Sequence, residues 1–265
     1  MIFIPNPATI IENLIKTSIV LGIFNLILSP LLAQSAPPSG SVFFIDNLQT
    51  TPPLPSLPDT VFILKPRYDN PVQTRNLVPL VYDVEKIASQ QWLDSLTLGT
   101  HLISISAPLC DSIITLNPFG MDSLIVYQIV KKSQKGYLGF LEEMLGVPFV
   151  LPPRYLRGLG HQSDLRLAVD CAEMAIYARR RQGHEVPYGG PRGIRNYVVP
   201  SDTLIAGTIL HFGHQVSVLY KDRGVIGTLE KNDLLIHAYK DKAEIIRLGE
   251  TDLDSRLVSF FIWRE

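Results

Sequence analysis

The chain is poor in cysteine and has almost no net charge, and each shortage excludes a class of protein. Its 265 residues include two cysteines, Cys110 and Cys171, so one disulfide at most can form and a disulfide-stapled scaffold is excluded. The formal net charge of -1 provides no broad basic surface, so we expect no nucleic-acid partner. A hydrophobic share of 46% with a charged share of 18% is typical of a folded protein with a sizeable core, not of a disordered chain.

An apolar run near the start of the chain predicts a targeting segment. Residues 17–33 are almost wholly apolar, follow Lys16 and end in small residues, which is typical of a signal peptide (1–33) cleaved after Ala33. Because Glu12 offsets Lys16 and the run is only marginally long enough to span a bilayer, an uncleaved membrane anchor is the alternative. We therefore expect an exported protein, periplasmic or extracellular and associated with the cell wall. It would contact the membrane only if this segment stays uncleaved.

The rest of the chain divides by composition. Residues 34–40 are predicted to be a linker. From 41 to 130, short β-branched and aromatic runs alternate with turns rich in Pro, Asn and Asp, which predicts a small β-rich module with one short helix between 84 and 96. From 131 to 265, apolar residues with helical spacing at 136–145 precede segments with the composition of β-strands. The strands expected there are 208–212, 215–220, 225–229, 234–239, 243–248 and 257–263. The pattern predicts the α+β fold class.

A buried helix with a defined start and end lies in the second part. Asp170 suits the N-cap, and Glu173 stands three residues later, as in a capping box. Gly183 suits the position after the helix, and the arginines 179–181 fill the last turn, where we expect them to be solvated. Cys171 then lies in the first turn, where backbone amides stabilise a thiolate. This placement predicts that Cys171 is a nucleophile.

Two histidines follow the cysteine in segments that are predicted to be strands. His214 begins a run in which alternate residues share one face, and His237 shares a face with Leu235 and Tyr239. If the two strands pair, both imidazoles can emerge on the face that the Cys171 helix covers. A thiol, a base and a group that orients the base are the parts that covalent acyl transfer needs.

The motifs occur in a characteristic order. They are Asp-Cys-Ala-Glu at 170–173, Gly-Thr-Ile-Leu-His-Phe-Gly-His-Gln-Val-Ser-Val-Leu-Tyr at 207–220 and Leu-Ile-His-Ala at 235–238. Over residues 136–265 this constellation resembles the NlpC/P60 family of papain-like cysteine peptidases. The resemblance implies a nucleophile helix packed on an antiparallel sheet. It also implies hydrolysis of amide bonds in peptidoglycan stem peptides, or of another peptide or amide substrate, through a thioester intermediate and without a cofactor.

The resemblance also assigns roles to residues. Cys171 corresponds to the nucleophile, His214 to the general base and His237 to the residue that orients the base. The backbone N–H of Cys171 would contribute to the oxyanion hole. The family's oxyanion tyrosine falls in a segment that is Pro-Phe-Val here, at 148–150, so Tyr155 is the candidate in its place.

The chain departs from the family pattern in two further places. The Ser-Gly that follows the family's Asp-Cys is Ala-Glu here, so Glu173 either raises the thiol pKa by its like charge or caps the helix. We accordingly count Asp170 and Glu173 among the candidate cleft residues. The interval from His214 to His237 is longer than is usual in the family, which predicts an inserted hairpin at 225–229.

A zinc site is an alternative use of these side chains. Cys171, His211, His214 and His237 are ligand types that zinc accepts. However, His211 and His214 are three residues apart, and such residues point to opposite faces of a continuous strand unless Gly213 bends the chain. We therefore predict no metal, and we place His211 on the face away from the helix.

Two further alternatives stay open. In an oxidising compartment Cys171 can be joined to Cys110 as a structural disulfide. A papain-like scaffold with an altered motif at 170–173 can also be a catalytically silent wall-binding or scaffolding protein. The order of one cysteine and two histidines favours the enzyme. Two other histidines, His161 and His184, are expected in exposed loops beside the helix.

Overall fold

The protein combines two large sheets with few helices, so the predicted α+β class is confirmed. The computed structural model describes residues 42–46, 49–51, 56–68, 80–108, 111–115 and 125–265. All of these belong to one compact unit, Ser39–Glu265, so the division into a β-rich module at 41–130 and a second domain at 131–265 stays a prediction. The expected signal peptide, the linker and Cys110 lie outside the described residues. Among the residues described, no helix is long and apolar enough to cross a membrane.

Strands from the first part of the chain form one mixed sheet, the N-terminal sheet. They are β1 Val42–Asp46, β2 Gln49–Thr51, β3 Thr60–Pro66, β4 Leu80–Ala88, β5 Gly99–Ser104, β6 Ser112–Thr115 and β7 Val126–Lys132. Their order is β2-β1-β7-β5-β3-β4-β6, with β1 and β7 parallel and all other neighbours antiparallel. Helix α1, Ser89–Ser95, lies between 84 and 96, where one short helix was expected. Pairing with β3 keeps β4 extended as far as Ala88.

Short elements connect this sheet to the second one. They are helix α2 Gly136–Glu142, the strand pair β8 Tyr155–Leu156 and β9 Gly160–His161, helix α3 Cys171–Arg181 and helix α4 Pro191–Ile194. Helix α3 begins and ends as the sequence predicts. The extended N-cap Asp170 accepts a hydrogen bond from the N–H of Glu173 at 2.7 Å, and Gly183 has the positive φ of +94° that follows many helix ends.

The remaining strands form an antiparallel sheet, the C-terminal sheet. They are β10 Val198–Pro200, β11 Ile209–His211, β12 Val216–Lys221, β13 Leu234–Tyr239, β14 Lys242–Arg247 and β15 Ser259–Trp263. Their order is β10-β15-β11-β12-β13-β14. The hairpin predicted at 225–229 is wrong, because this segment is a loop. The carboxylates of Asp222 and Glu230 accept hydrogen bonds from its backbone N–H groups and replace a strand partner.

Helix α3 packs on one face of the C-terminal sheet, which we call the helix-covered face. The sheet residues buried there with α3 are Ile209, Val216, Val218, Ile236 and Ala238. The leucines buried on the opposite face are Leu204, Leu210, Leu219, Leu235, Leu248 and Leu253. The segment just before α3 packs on the N-terminal sheet through Leu167 and Ala168. Both sheets therefore fix the position at which α3 begins.

A buried carboxylate joins the end of α3 to the N-terminal sheet. Glu143 has no solvent exposure and accepts a hydrogen bond of 2.5 Å from the Tyr177 hydroxyl. Its oxygens also lie 3.1 Å from the ammonium of Lys132 and 3.3 Å from Nε of Arg181. Arg180 in turn pairs with Asp164. The expectation that the arginines at the end of the helix are merely solvated is therefore wrong.

Candidate active site

A cavity of about 700 Å³ opens at the start of α3. Cys171 and His214 both line it. Its other walls come from Phe149 and Leu151, from residues 190–193, from Gln215 and from the turn at 239–240. The volume is in the range of small-ligand sites. The structure therefore brings the predicted nucleophile and the predicted base to one cavity.

Cys171 is the first residue of α3 and carries a free thiol that is 5% exposed. Burial, and after it the nearby charge of Asp170, raise the pKa of this thiol to about 12. The backbone N–H groups of Val216, Ala172 and Cys171 itself act in the opposite direction but are outweighed. The expectation of a stable thiolate at the helix start is therefore wrong. The resting group is a thiol, and it needs a base to react.

The two carboxyl groups beside the thiol are buried and turned away from the cavity. Burial raises the pKa of Asp170 to about 6 and that of Glu173 to about 8. Oε2 of Glu173 lies 2.5 Å from the Ser163 hydroxyl, whose oxygen is also 3.2 Å from the carbonyl of Ala168. The single hydroxyl proton of Ser163 can satisfy only one acceptor, so a protonated Glu173 completes the network by donating to Ser163. Asp170, and not Glu173, is thus the carboxyl that raises the thiol pKa.

Tyr155 and His161 lie on the short strand pair β8–β9 and do not line the cavity. Tyr155 is 76% exposed, so the structure does not place its hydroxyl at the oxyanion position. His161 is half-buried rather than exposed; its ring stacks on Tyr188 at a centroid distance of 4.2 Å. Nδ1 of His161 accepts a hydrogen bond from the Ser163 N–H at 3.3 Å. These side chains support the loop before α3 instead of taking part in the cavity.

His214 lies in the turn that precedes β12. Gly213, with a φ of +80°, forms this turn, and the His214 side chain is exposed at the cavity. Its backbone N–H donates to the carbonyl of Phe212 at 3.1 Å. No hydrogen bond joins the His214 ring to Cys171 or to any other side chain in the part of the chain that is described. The ring is therefore open to a ligand that enters the cavity.

His237 does not reach the cavity, and the prediction that it shares the helix-covered face is wrong. In β13 the side chains of Ile236 and Ala238 face α3, so those of Leu235 and His237 face the other way. Nδ1 of His237 lies 3.3 Å from the Ser217 hydroxyl, and its buried Nε2 has no hydrogen-bond partner among the described residues. Burial lowers the pKa of His237 to about 4. His237 is therefore a neutral core histidine and cannot orient His214.

His211 is a positioning residue that the sequence did not reveal. It faces α3 and not the far side as predicted, since it follows Ile209 by two residues in β11. Its Nε2 donates to the carbonyl of Pro191 at 2.8 Å, and its Nδ1 accepts from the N–H of Gly213 at 3.3 Å. This imidazole ties one cavity wall to the turn that carries His214. The only sequence signal was its place two residues before Gly213.

Metal binding finds no support in the described ranges of the chain, which contain no group of three His, Cys, Asp or Glu side chains placed to hold an ion. No protein-family model matches this chain, and no curated protein or solved structure is significantly similar to it. The site is thus defined by its geometry. A thiol at a helix start and an imidazole share one cavity, and the expected third member lies on the opposite face of the sheet.

Proposed function

We propose that this protein is a cysteine-dependent amide hydrolase in which Cys171 is the nucleophile and His214 the general base. One observation carries the proposal: the free thiol of Cys171 and the exposed imidazole of His214 line the same cavity of about 700 Å³. A cysteine with a histidine beside it is the minimal set for covalent acyl transfer.

The reaction begins from the neutral thiol. His214 accepts the thiol proton while the sulfur of Cys171 attacks the substrate carbonyl. The backbone N–H of Cys171 stabilises the oxyanion of the tetrahedral intermediate. His214 then donates the proton to the leaving amine, which breaks the C–N bond and leaves a thioester on Cys171. Water, deprotonated by His214, attacks the thioester and releases the carboxylic acid and the thiol.

We further propose that the substrate is a peptidoglycan stem peptide and that the protein acts outside the cytoplasm. The order of the motifs at 170–173, 207–220 and 235–238, with its resemblance to NlpC/P60 peptidases, supports the first point. The apolar residues 17–33 support the second.

The test is digestion of purified peptidoglycan and of soluble stem-peptide fragments, with the products identified by mass spectrometry. We expect one new amine and one new carboxylate per cleavage, together with a thioester that hydroxylamine releases. Cys171→Ala should form neither product nor thioester, while its circular dichroism spectrum stays unchanged. Turnover that persists in Cys171→Ala would overturn the assignment of the nucleophile.

A catalytically silent wall-binding protein is the second candidate. Two observations favour it: burial raises the Cys171 pKa to about 12, and His237 is not placed to orient His214. This candidate predicts that the protein sediments with peptidoglycan, releases no soluble fragment and leaves Cys171 unalkylated until it is denatured. The enzyme predicts alkylation of Cys171 in the folded protein, slowed by His214→Ala.

A further inference from the structure

The loop between β12 and β13, residues 222–233, contains no helix or strand but has a defined internal structure. Its two ends are held together because Lys221 pairs with Leu234 across the strands. Three carboxylates of the loop, those of Asp222, Glu230 and Asp233, accept five hydrogen bonds of 2.8–3.3 Å from the backbone N–H groups of residues 223–225, 227 and 230. The acidic side chains of the loop are therefore turned towards its own backbone.

The apex of this loop, residues 225–228, presents two aliphatic side chains to solvent. The N–H of Thr228 donates to the carbonyl of Val225 at 2.9 Å, and Gly227 has a φ of +83° at the third position of this turn. Ile226 is 90% exposed and Val225 63% exposed. Leu229, in contrast, packs on the leucines of the face opposite the helix-covered face. Core packing therefore accounts for Leu229 but not for the two aliphatic residues at the apex.

Two cationic side chains stand beside this apex. Lys221 ends β12, Arg223 lies in the first part of the loop, and both are exposed. Within the described part of the chain, neither side chain has a carboxylate partner. Lys231, on the other side of the loop, is paired with Asp254 at 3.3 Å. The surface of the loop thus combines an aliphatic apex with two positive charges.

We propose that the loop at 222–233 docks on an anionic lipid bilayer, with Val225 and Ile226 inserted at the interface and with Lys221 and Arg223 at the level of the lipid phosphates. Aliphatic side chains gain free energy when they leave water, and an anionic leaflet attracts lysine and arginine near its surface. A bilayer fits better than a protein partner, because the residues that dominate protein interfaces are enriched in tryptophan and tyrosine and this apex has neither.

The sequence and the sheet geometry both agree with this contact. Weak membrane contacts become stable when a second signal adds to them, and the apolar residues 17–33 are predicted to be such a signal. The loop and the cavity lie at opposite ends of β12 and β13, since His214 precedes β12 and Tyr239 ends β13. A strand of six residues spans about 20 Å, so docking would direct the cavity away from the lipid. None of this depends on which reaction the cavity performs.

The first test places a fluorescent reporter at the apex. The full chain with Ile226→Trp is incorporated into vesicles of phosphatidylcholine and phosphatidylglycerol whose acyl chains carry bromine, which quenches tryptophan that enters the bilayer. The matched control is Leu257→Trp, at an aliphatic residue that is 96% exposed and precedes β15. The unaltered chain supplies the background of its two native tryptophans.

We expect the added emission of Ile226→Trp to shift to shorter wavelength and to fall to about half in the brominated vesicles, because the side chain enters the interface. The added emission of Leu257→Trp should not change. Equal quenching in the two variants, or no quenching of Ile226→Trp, would overturn the docking.

The second test asks whether the lipid charge matters. In the Ile226→Trp background, Lys221→Gln or Arg223→Gln should lower the ratio of inserted to free loop about fivefold, and the two together about twentyfold. Added salt and vesicles of phosphatidylcholine alone should lower it as well. Lys86→Gln, at an exposed lysine of β4, controls for net charge and should leave the ratio unchanged. Insertion that is equal in both lipids and unaffected by the double variant would refute an anionic bilayer as the partner.

Discussion

One face of the C-terminal sheet is covered by α3 and leads to the cavity with Cys171 and His214, whereas the other face packs on leucines and encloses His237. The two histidines are matched in residue type but opposite in surroundings. His214 is exposed at the cavity, and His237 is 1% exposed. An imidazole becomes a base for chemistry only where substrate and water can reach it, so the face of the sheet decides the role.

The two faces also bury titratable groups whose effects on stability have opposite signs. His237 has a pKa lowered to about 4, so the unfolded chain binds its proton more readily and acid destabilises the fold. Glu173, on the helix-covered side, has a pKa raised to about 8, so the folded chain holds its proton more tightly and alkali destabilises the fold. Between about pH 4.5 and 6.5 the effects of His237 and Glu173 on the free energy of unfolding change with pH in opposite directions and partly cancel. Variants are needed to separate them.

The largest expected effect is the difference in activity between variants of His214 and variants of His237. His214→Ala removes the proton acceptor in the cavity and should lower kcat/KM for amide hydrolysis by about 10² to 10⁴. His237→Ala changes a side chain on the other face and should lower it by less than about threefold once the folded fraction is taken into account. Steady-state rates on a stem-peptide fragment provide the measurement. Equal losses in the two variants would mean that His237 acts on the site after all.

The next effect contrasts the two buried glutamates beside α3. Glu143 has three cationic neighbours, whereas the partners of Glu173 among the described residues are the Ser163 hydroxyl and the imidazole of His161. Glu143→Ala leaves Lys132, Arg166 and Arg181 without their shared carboxylate and should lower the free energy of unfolding by about 3–5 kcal/mol.

Urea denaturation measures this loss. The matched control is Glu85→Ala, which breaks an exposed pair with Lys65 and should cost less than about 1 kcal/mol. If Glu143→Ala were no more destabilising than this control, the buried network would not fasten α3 to the N-terminal sheet.

A smaller effect concerns stability in acid and His237, which lies on the face of the C-terminal sheet opposite the helix-covered face. The pKa of His237 falls from its usual 6.5 to about 4, which corresponds to about 3 kcal/mol lost as pH drops from 6.5 to 4. His237→Asn keeps a polar group near Ser217 but cannot titrate, so its unfolding free energy should fall less over that window. His184→Asn, at an exposed histidine, serves as the control. Parallel pH profiles for His237→Asn and the unaltered protein would contradict the buried neutral histidine.

The smallest effect concerns alkaline stability and the helix-covered face. The folded chain binds the Glu173 proton up to about pH 8, but the unfolded chain releases it near the usual value of 4.5. The unfolding free energy therefore falls as pH rises through this window. Glu173→Gln stays neutral and should be more stable at pH 9 by an amount on the order of 2 kcal/mol. Urea midpoints at pH 6 and pH 9 measure the gain, and the exposed Glu185→Gln should show none.

Local sequence signals predicted local structure well. Asp170 and Gly183 mark the two ends of α3, because an N-cap acceptor and a left-handed glycine act on their own neighbours. Strand β13 has the predicted bounds, Leu234–Tyr239. The strand predicted at 225–229 is a loop, because its apolar residues are typical of a strand but its backbone N–H groups bind the carboxylates of Asp222 and Glu230.

The error at His237 has a specific physical origin. Alternation within a strand tells which residues share a face, but it does not tell how that strand pairs with its neighbour. In the structure Val218 pairs with Ile236, so His237 falls on the face of Ser217 and not on that of Val216. A shift of one residue in this register would have placed His237 on the helix-covered face.

The sequence by itself determined the α+β composition, the limits of α3 and the presence of a cysteine at its first turn, because caps, glycines and alternation act over a few residues. Tertiary structure decided which histidine joins Cys171, how His211 braces the cavity and in which direction burial moves the thiol pKa. These outcomes depend on strand register and on desolvation, and both arise only when residues far apart in the chain are packed together.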